Sequence, residues 1–146
     1  MSRDYSSTPL PKKLGITEDS RVSLVGAPKG FSATVGVERN ARGEADVIVL
    51  FTMRLADLGR RFEGLAGRLD PAGGLWVAWP KKSAKVPTDL SFEEVQRVGL
   101  DAGLVDNKSC AIDDTWQALR FVIRRDDRSA RAGARRSPAP PARPRA

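Results

Sequence analysis

The chain has 146 residues, 40% hydrophobic and 29% charged, with a formal net charge of +7. That length holds one hydrophobic core but not two ordinary domains, and no apolar run approaches the roughly 20 residues of a membrane-spanning helix. A single cysteine, Cys110, precludes an internal disulfide, and the absence of histidine removes His-dependent triads, His-ligated zinc and imidazole bases.

The start, Met1-Ser2-Arg3-Asp4-Tyr5, lacks the charged-then-apolar plan of a secretory signal, so a cytoplasmic protein with no membrane contact is expected. Residues 1–20 read as an N-terminal extension that packs on the core through Leu14 and Ile16, with a helical turn at Lys12-Lys13-Leu14. Residues 21–125 read as a single α/β domain. A first strand at 21–25 ends in the turn Gly26-Ala27-Pro28-Lys29-Gly30. A short helix at 31–35, an edge strand at 35–38 and a turn at Arg42-Gly43-Glu44 follow.

Residues 46–51 form a continuous apolar run, the pattern of a strand buried on both faces. Thr52 is the expected N-cap of the next helix, in which Leu55, Leu58, Phe62, Leu65 and Leu69 recur every three or four positions. Asp70-Pro71-Ala72-Gly73-Gly74 should stop it. The next strand is 75–79, and a polar loop runs over 80–89. Ser91 and Glu94 match a capping box, opening a helix to about Ala102 with Gly103 as its C-terminal cap. A hairpin, 105–112 and 116–124, completes the domain, with Leu119, Phe121 and Ile123 on one face. Strand–helix alternation implies parallel pairing. The fold class expected is α/β: a compact three-layer, Rossmann-like, mostly parallel sheet ending in an antiparallel hairpin.

Residues 126–146 are rich in Arg, Pro and Ala. They hold six arginines against two aspartates and so account for +4 of the net charge. A disordered tail is predicted there, suited to weak contact with nucleic acid but without aromatic residues to stack on bases.

Open α/β sheets bind ligands at the carboxyl ends of their strands. Loops 26–30, 52–54 and 80–85 should meet there, bringing Lys29, Gly30, Arg54, Trp79, Lys81 and Lys82, with Lys85, to a small anionic ligand. The plainer alternative is a solvated charged surface. Trp76 and Trp79 should face opposite sides of their strand, leaving Trp79 to edge a pocket. Trp116, beside the hairpin turn, is the expected exposed anchor for a protein partner. Asp113 and Asp114 read as turn residues, Cys110 as a buried small hydrophobe, and Asp106 and Lys108 as a same-side pair. These residues form no complete set of nucleophile, base or metal ligands, and no cofactor is expected. The reading is a non-enzymatic binding or regulatory module. The alternative is a small-molecule or nucleotide binder, or a relict methyltransferase-like enzyme, working at the strands' carboxyl edge.

Several runs together resemble one family: Ser7-Thr8-Pro9-Leu10 with Lys12-Lys13-Leu14-Gly15-Ile16, Leu75-Trp76-Val77-Ala78-Trp79-Pro80-Lys81-Lys82, Gly103-Leu104-Val105-Asp106-Asn107-Lys108, and Asp113-Asp114-Thr115-Trp116 with Leu119-Arg120-Phe121-Val122. The family is the actinobacterial domain-of-unknown-function family 3052, and Trp79-Pro80-Lys81-Lys82 is the most specific piece. A looser similarity, to class I methyltransferases, implies a strand–helix–strand–helix module closed by an antiparallel hairpin. The chain departs from those enzymes in its first turn, where Pro28 has no N–H to offer a ligand.

Overall fold

The computed structural model describes residues 9–124 and Asp127; apart from Asp127, the expected tail lies outside the described residues. In chain order the elements are α1 (Leu10–Leu14), β1 (Val22–Val25), α2 (Phe31–Thr34), β2 (Ala45–Phe51), α3 (Leu55–Gly67), β3 (Leu69–Pro80), a 3-10 turn (Lys82–Ala84), α4 (Phe92–Asp101), β4 (Leu104–Ala111) and β5 (Trp116–Ile123). None of the described helices is long and apolar enough to cross a membrane.

The five strands form a single sheet in the order β1-β2-β3-β5-β4. The pairs β1–β2 and β2–β3 are parallel, whereas β3–β5 and β5–β4 are antiparallel. The sheet is therefore evenly mixed, not mostly parallel as the alternation of elements suggested. The cause lies in the hairpin. β5 turns back into the gap between β3 and β4 instead of adding an outer edge. Its Leu119, Phe121 and Ile123 are buried, while Asn107, Lys108 and Ser109 of β4 are exposed. Burying the apolar arm and leaving the polar arm outside is the favourable order.

Alternate residues of the central strands supply two apolar clusters, one on each face. Ile48, Leu50, Leu75, Val77, Trp79, Leu119 and Phe121 meet Leu58, Phe62 and Leu65 of α3 and Val95 of α4. Val47, Val49, Phe51, Trp76 and Ala78 meet Leu14 of α1 and Phe31 of α2. Trp76 and Trp79 thus face opposite ways, as their spacing required. The Trp76 indole Nε1 donates to the Leu14 carbonyl at 3.0 Å, tying α1 to the sheet. Gly99 of α4 lets the helix settle against the Phe121 ring, where any side chain would collide. That ring meets Phe62 edge-on at 5.3 Å.

Four local expectations are corrected. Residues 35–38 form no strand and lead out of α2 through a turn with Gly36 at φ 73°. Asp70–Gly74 does not simply end α3, because β3 already begins at Leu69. Leu69 pairs with Ala45 and Gly74 with Val47, so an irregularity spans 70–73. The Asp70 carboxylate accepts from the Ala72 N–H at 2.9 Å inside it. The turn chemistry is real, but it sits within a strand.

Thr52 does not cap α3. Arg54 occupies the N-cap without a side-chain bond. The Leu55 N–H instead donates to the Asp89 carboxylate at 2.7 Å, a partner 34 residues away.

Lastly, Asp106 and Lys108 do not pair. A bulge at Asn107 sets Asp106 opposite Phe121 but Lys108 opposite Arg120, shifting the alternation of β4 by one residue. Asp106 accepts from Gln96 at 3.2 Å. The same shift turns Cys110 inward beside Ala118, where burial pushes the thiol's pKa up.

Candidate functional site

The strand directions place the ends of β1, β2 and β3, and the start of β5, at one edge of the sheet. Pro80 at the end of β3 pairs with Trp116, and the Lys81 N–H donates to the Thr115 carbonyl at 2.7 Å. The polar loop after β3 folds into the 3-10 turn, which Lys85 closes with φ 56°; it is the sole non-glycine positive φ among the described residues. The chain then returns through Thr88 and Asp89 to α4. The Ser91 hydroxyl accepts from the Glu94 N–H at 3.3 Å, one half of the expected capping box.

A cleft of about 710 Å³ opens between the end of β3 and the start of α4. Trp79, Pro80, Val86, Leu90 and Phe92 give it apolar walls, and its polar groups include Lys81, Lys82 and Gln117 together with one carboxylate, Glu93. The volume falls in the roughly 300–1,000 Å³ range of small-molecule sites. Gln117 stands beside Trp79 in the ladder, and its amide donates to the Pro80 carbonyl at 3.4 Å. The cations Lys81 and Lys82 have no carboxylate partner among the described residues. By contrast, Arg21, Arg60, Arg61 and Arg97 each pair with an aspartate or glutamate.

The structure divides the residues proposed from sequence. Trp79, Lys81 and Lys82 come together in the cleft. Arg54 lines a separate cavity of about 220 Å³ with Met53, Pro87, Thr88 and Asp89. Thr88 borders both cavities, and its hydroxyl donates to the Met53 carbonyl at 2.6 Å. Lys29 and Gly30 line neither. Gly30, at φ 87°, caps α2, whose Phe31 belongs to the opposite face.

Trp116 is not the exposed anchor expected from its place near the turn. It is half-buried, with its ring edge-on to Phe51 at 5.0 Å. Asp113 is the turn residue anticipated, accepting from the Thr115 and Trp116 N–H groups at 2.9 and 2.8 Å. Phe92 was missed. Stepping by helical spacing back from Val95 reaches it, but nothing in the pattern tells that it stays half-exposed and lines the same cleft as Pro80.

Next to this edge, the Thr52 hydroxyl donates to the Asp57 carboxylate at 2.8 Å, and Arg60 and Arg61 reach its other oxygen at 2.7 and 2.8 Å. The Thr52 bond first, and the two arginines with it, hold Asp57 below its ordinary pKa despite partial burial. A carboxylate lowered in the folded state stabilises the fold above about pH 4 and loses that contribution as the pH falls further. Asp57→Asn should therefore narrow the difference between urea midpoints at pH 7 and pH 3. An unchanged difference would remove Asp57 from the acid response. Among the described residues no group of three or more Cys, Asp or Glu is placed to hold a metal ion.

No family model matches the chain, and no curated protein matches it. Among solved structures, the chain is similar to magnesium protoporphyrin IX methyltransferase from Synechocystis PCC 6803, a structure with bound SAH. The identity is 12% and the TM-score 0.46, over 57% of this chain and 46% of that one. The match thus spans less than half of that enzyme, and a likeness of this size assigns no activity.

Proposed function

We propose that the protein is a binding module whose carboxyl-edge cleft takes a small anionic ligand. The carrying observation is that Trp79, Lys81 and Lys82 line one cleft of ligand size in which neither lysine meets a carboxylate among the described residues. An anion with an apolar body satisfies both walls: the body replaces water on Pro80, Leu90 and Phe92, and the charge lies against the ammonium groups. Trp79-Pro80-Lys81-Lys82, the run carrying the resemblance to family 3052, is part of that wall. The reading takes the frame as Rossmann-like and three-layered, with α1 and α2 over one face and α3 and α4 over the other.

The test is thermal unfolding of the full chain against a panel of small phosphate and carboxylate compounds. A ligand at about 100 times its dissociation constant should stabilise the fold by roughly 2.7 kcal/mol. Lys81→Gln/Lys82→Gln should abolish the rise in Tm without lowering the unliganded Tm, since neither side chain is buried. A flat panel, or a rise that survives the double substitution, overturns the reading.

A further inference from the structure

The cleft also carries information on the kind of anion it would take, an inference that rests on the reading above. Of the five phenylalanines, Phe31, Phe51, Phe62 and Phe121 are buried and each meets another aromatic ring edge-on. Phe92 is the exception. It is 45% exposed and meets no aromatic ring among the described residues. An aromatic side chain left in water forgoes the burial that drives folding, so its position in a cleft wall asks for a partner. Trp79, only 2% exposed, contributes floor and not a free ring face. The cleft therefore joins one available aromatic ring to two ammonium groups that lack carboxylate partners among the described residues, against the single carboxylate of Glu93 in its lining. Its volume of about 710 Å³ far exceeds what a bare phosphate or sulfate fills.

The geometry points to a ligand in which a planar aromatic ring is joined to a phosphate, the chemistry of a nucleoside monophosphate. The ring stacks on Phe92 over the apolar floor, and the phosphate lies against Lys81 and Lys82. Lysine suits this role as a point charge whose three donors adapt to a phosphate. Stacking tolerates any base, because every base has a π-face. The site thus selects the class of ligand and not one base.

Three compounds separate the parts: AMP, with ring and phosphate; ribose 5-phosphate, without the ring; and adenosine, without the phosphate. Their affinities are measured by titration of the full chain followed by NMR. AMP should bind at least about fivefold more tightly than ribose 5-phosphate, the lower bound for one base stacked on an aromatic side chain. Phe92→Leu keeps an apolar wall but removes the ring, and should largely erase that preference while leaving ribose 5-phosphate binding in place. Lys81→Gln/Lys82→Gln should bring AMP down to the affinity of adenosine. Equal affinity of the wild-type chain for AMP and ribose 5-phosphate would overturn the aromatic assignment and leave an anion-binding cleft standing. AMP binding no tighter than adenosine would overturn the phosphate assignment. Binding of none of the three, together with a flat thermal panel, would remove the cleft reading itself. A preference for AMP that survives Phe92→Leu would place the ring elsewhere and also overturn the proposal.

Discussion

Trp76→Ala should cost about 3–5 kcal/mol, the range for deleting a large buried aromatic. Trp76 has no exposed surface and lies in the cluster that also holds Leu14, Phe31 and Phe51. For a domain at the lower end of the ordinary range of about 5–15 kcal/mol, that loss leaves a substantial unfolded fraction, and for a more stable one it appears as a lowered Tm. Trp76→Phe separates two effects. It keeps most of the apolar volume but removes the Nε1 donor, leaving the Leu14 carbonyl without the partner it has at 3.0 Å. An acceptor so abandoned costs about 1–3 kcal/mol. Because Leu14 ends α1, the damage should be local before it is global. Limited proteolysis should cut Trp76→Phe between residues 15 and 20 faster than wild type, even below the midpoint of global unfolding. Equal cleavage rates in the two proteins would show that the indole does not hold α1.

The second large effect is expected at Gly73. A Cβ there would lie directly against the backbone carbonyl of Asp46, with the Leu69 side chain close behind at 3.1 Å. The obstacle is main chain and cannot turn aside as a side-chain tip could. Gly73→Ala should thus destabilise by about 2–3 kcal/mol, within the range for overpacking. This is net of the few tenths to 1 kcal/mol gained by restricting the unfolded chain. Gly59→Ala is the matched control. Nothing lies within 4 Å of a Cβ at that helical site, so alanine should be neutral or stabilise by up to about 1 kcal/mol. Urea midpoints of the two variants should move in opposite directions. A common direction would mean that β3 can slide to make room.

Much of this frame was legible in the residues. The run at 46–51 announced a strand buried on both faces. The spacing from Leu55 to Leu65 announced α3, and Ser91 with Glu94 announced the start of α4. What the residues did not reveal was set by partners distant in sequence. Asp89 caps α3 from a loop 34 residues on, so no local pattern could displace Thr52 from that role. Glycines 73 and 74 looked like punctuation. At Gly73 the Asp46 carbonyl passes too close for any side chain, whereas at Gly74 the neighbour is the Arg120 guanidinium, a side-chain tip that can turn aside. The bulge at Asn107 cannot be seen in β4 alone, since it exists only relative to the register of β5.

The same holds for the site. Loop position along the chain gathered Lys29, Gly30, Arg54, Trp79, Lys81 and Lys82 at one edge. The structure keeps three of them in one cleft: Lys29 and Gly30 go with the opposite face of the sheet, and Arg54 lines a neighbouring cavity on the same face, where Thr88 borders both. Phe92 joined them because the half-exposure of its ring depends on neighbours from β3 and its loop, which no helical periodicity records.

The outer edge of β1 has a further consequence. The Leu24 N–H donates to the Asn40 side-chain oxygen at 2.6 Å, the Asn40 amide donates back to the Leu24 carbonyl at 3.3 Å, and the Ala41 N–H donates to the Val22 carbonyl at 2.7 Å. One side chain and one backbone N–H therefore occupy three of the groups that a sixth strand would need. At the far edge, the extra residue in β4 interrupts the even spacing such a strand would follow, and Lys108 sets a charge beside it. The fold thus guards against templated self-association at both margins by different means: a molecular plug on one side and a broken ruler on the other.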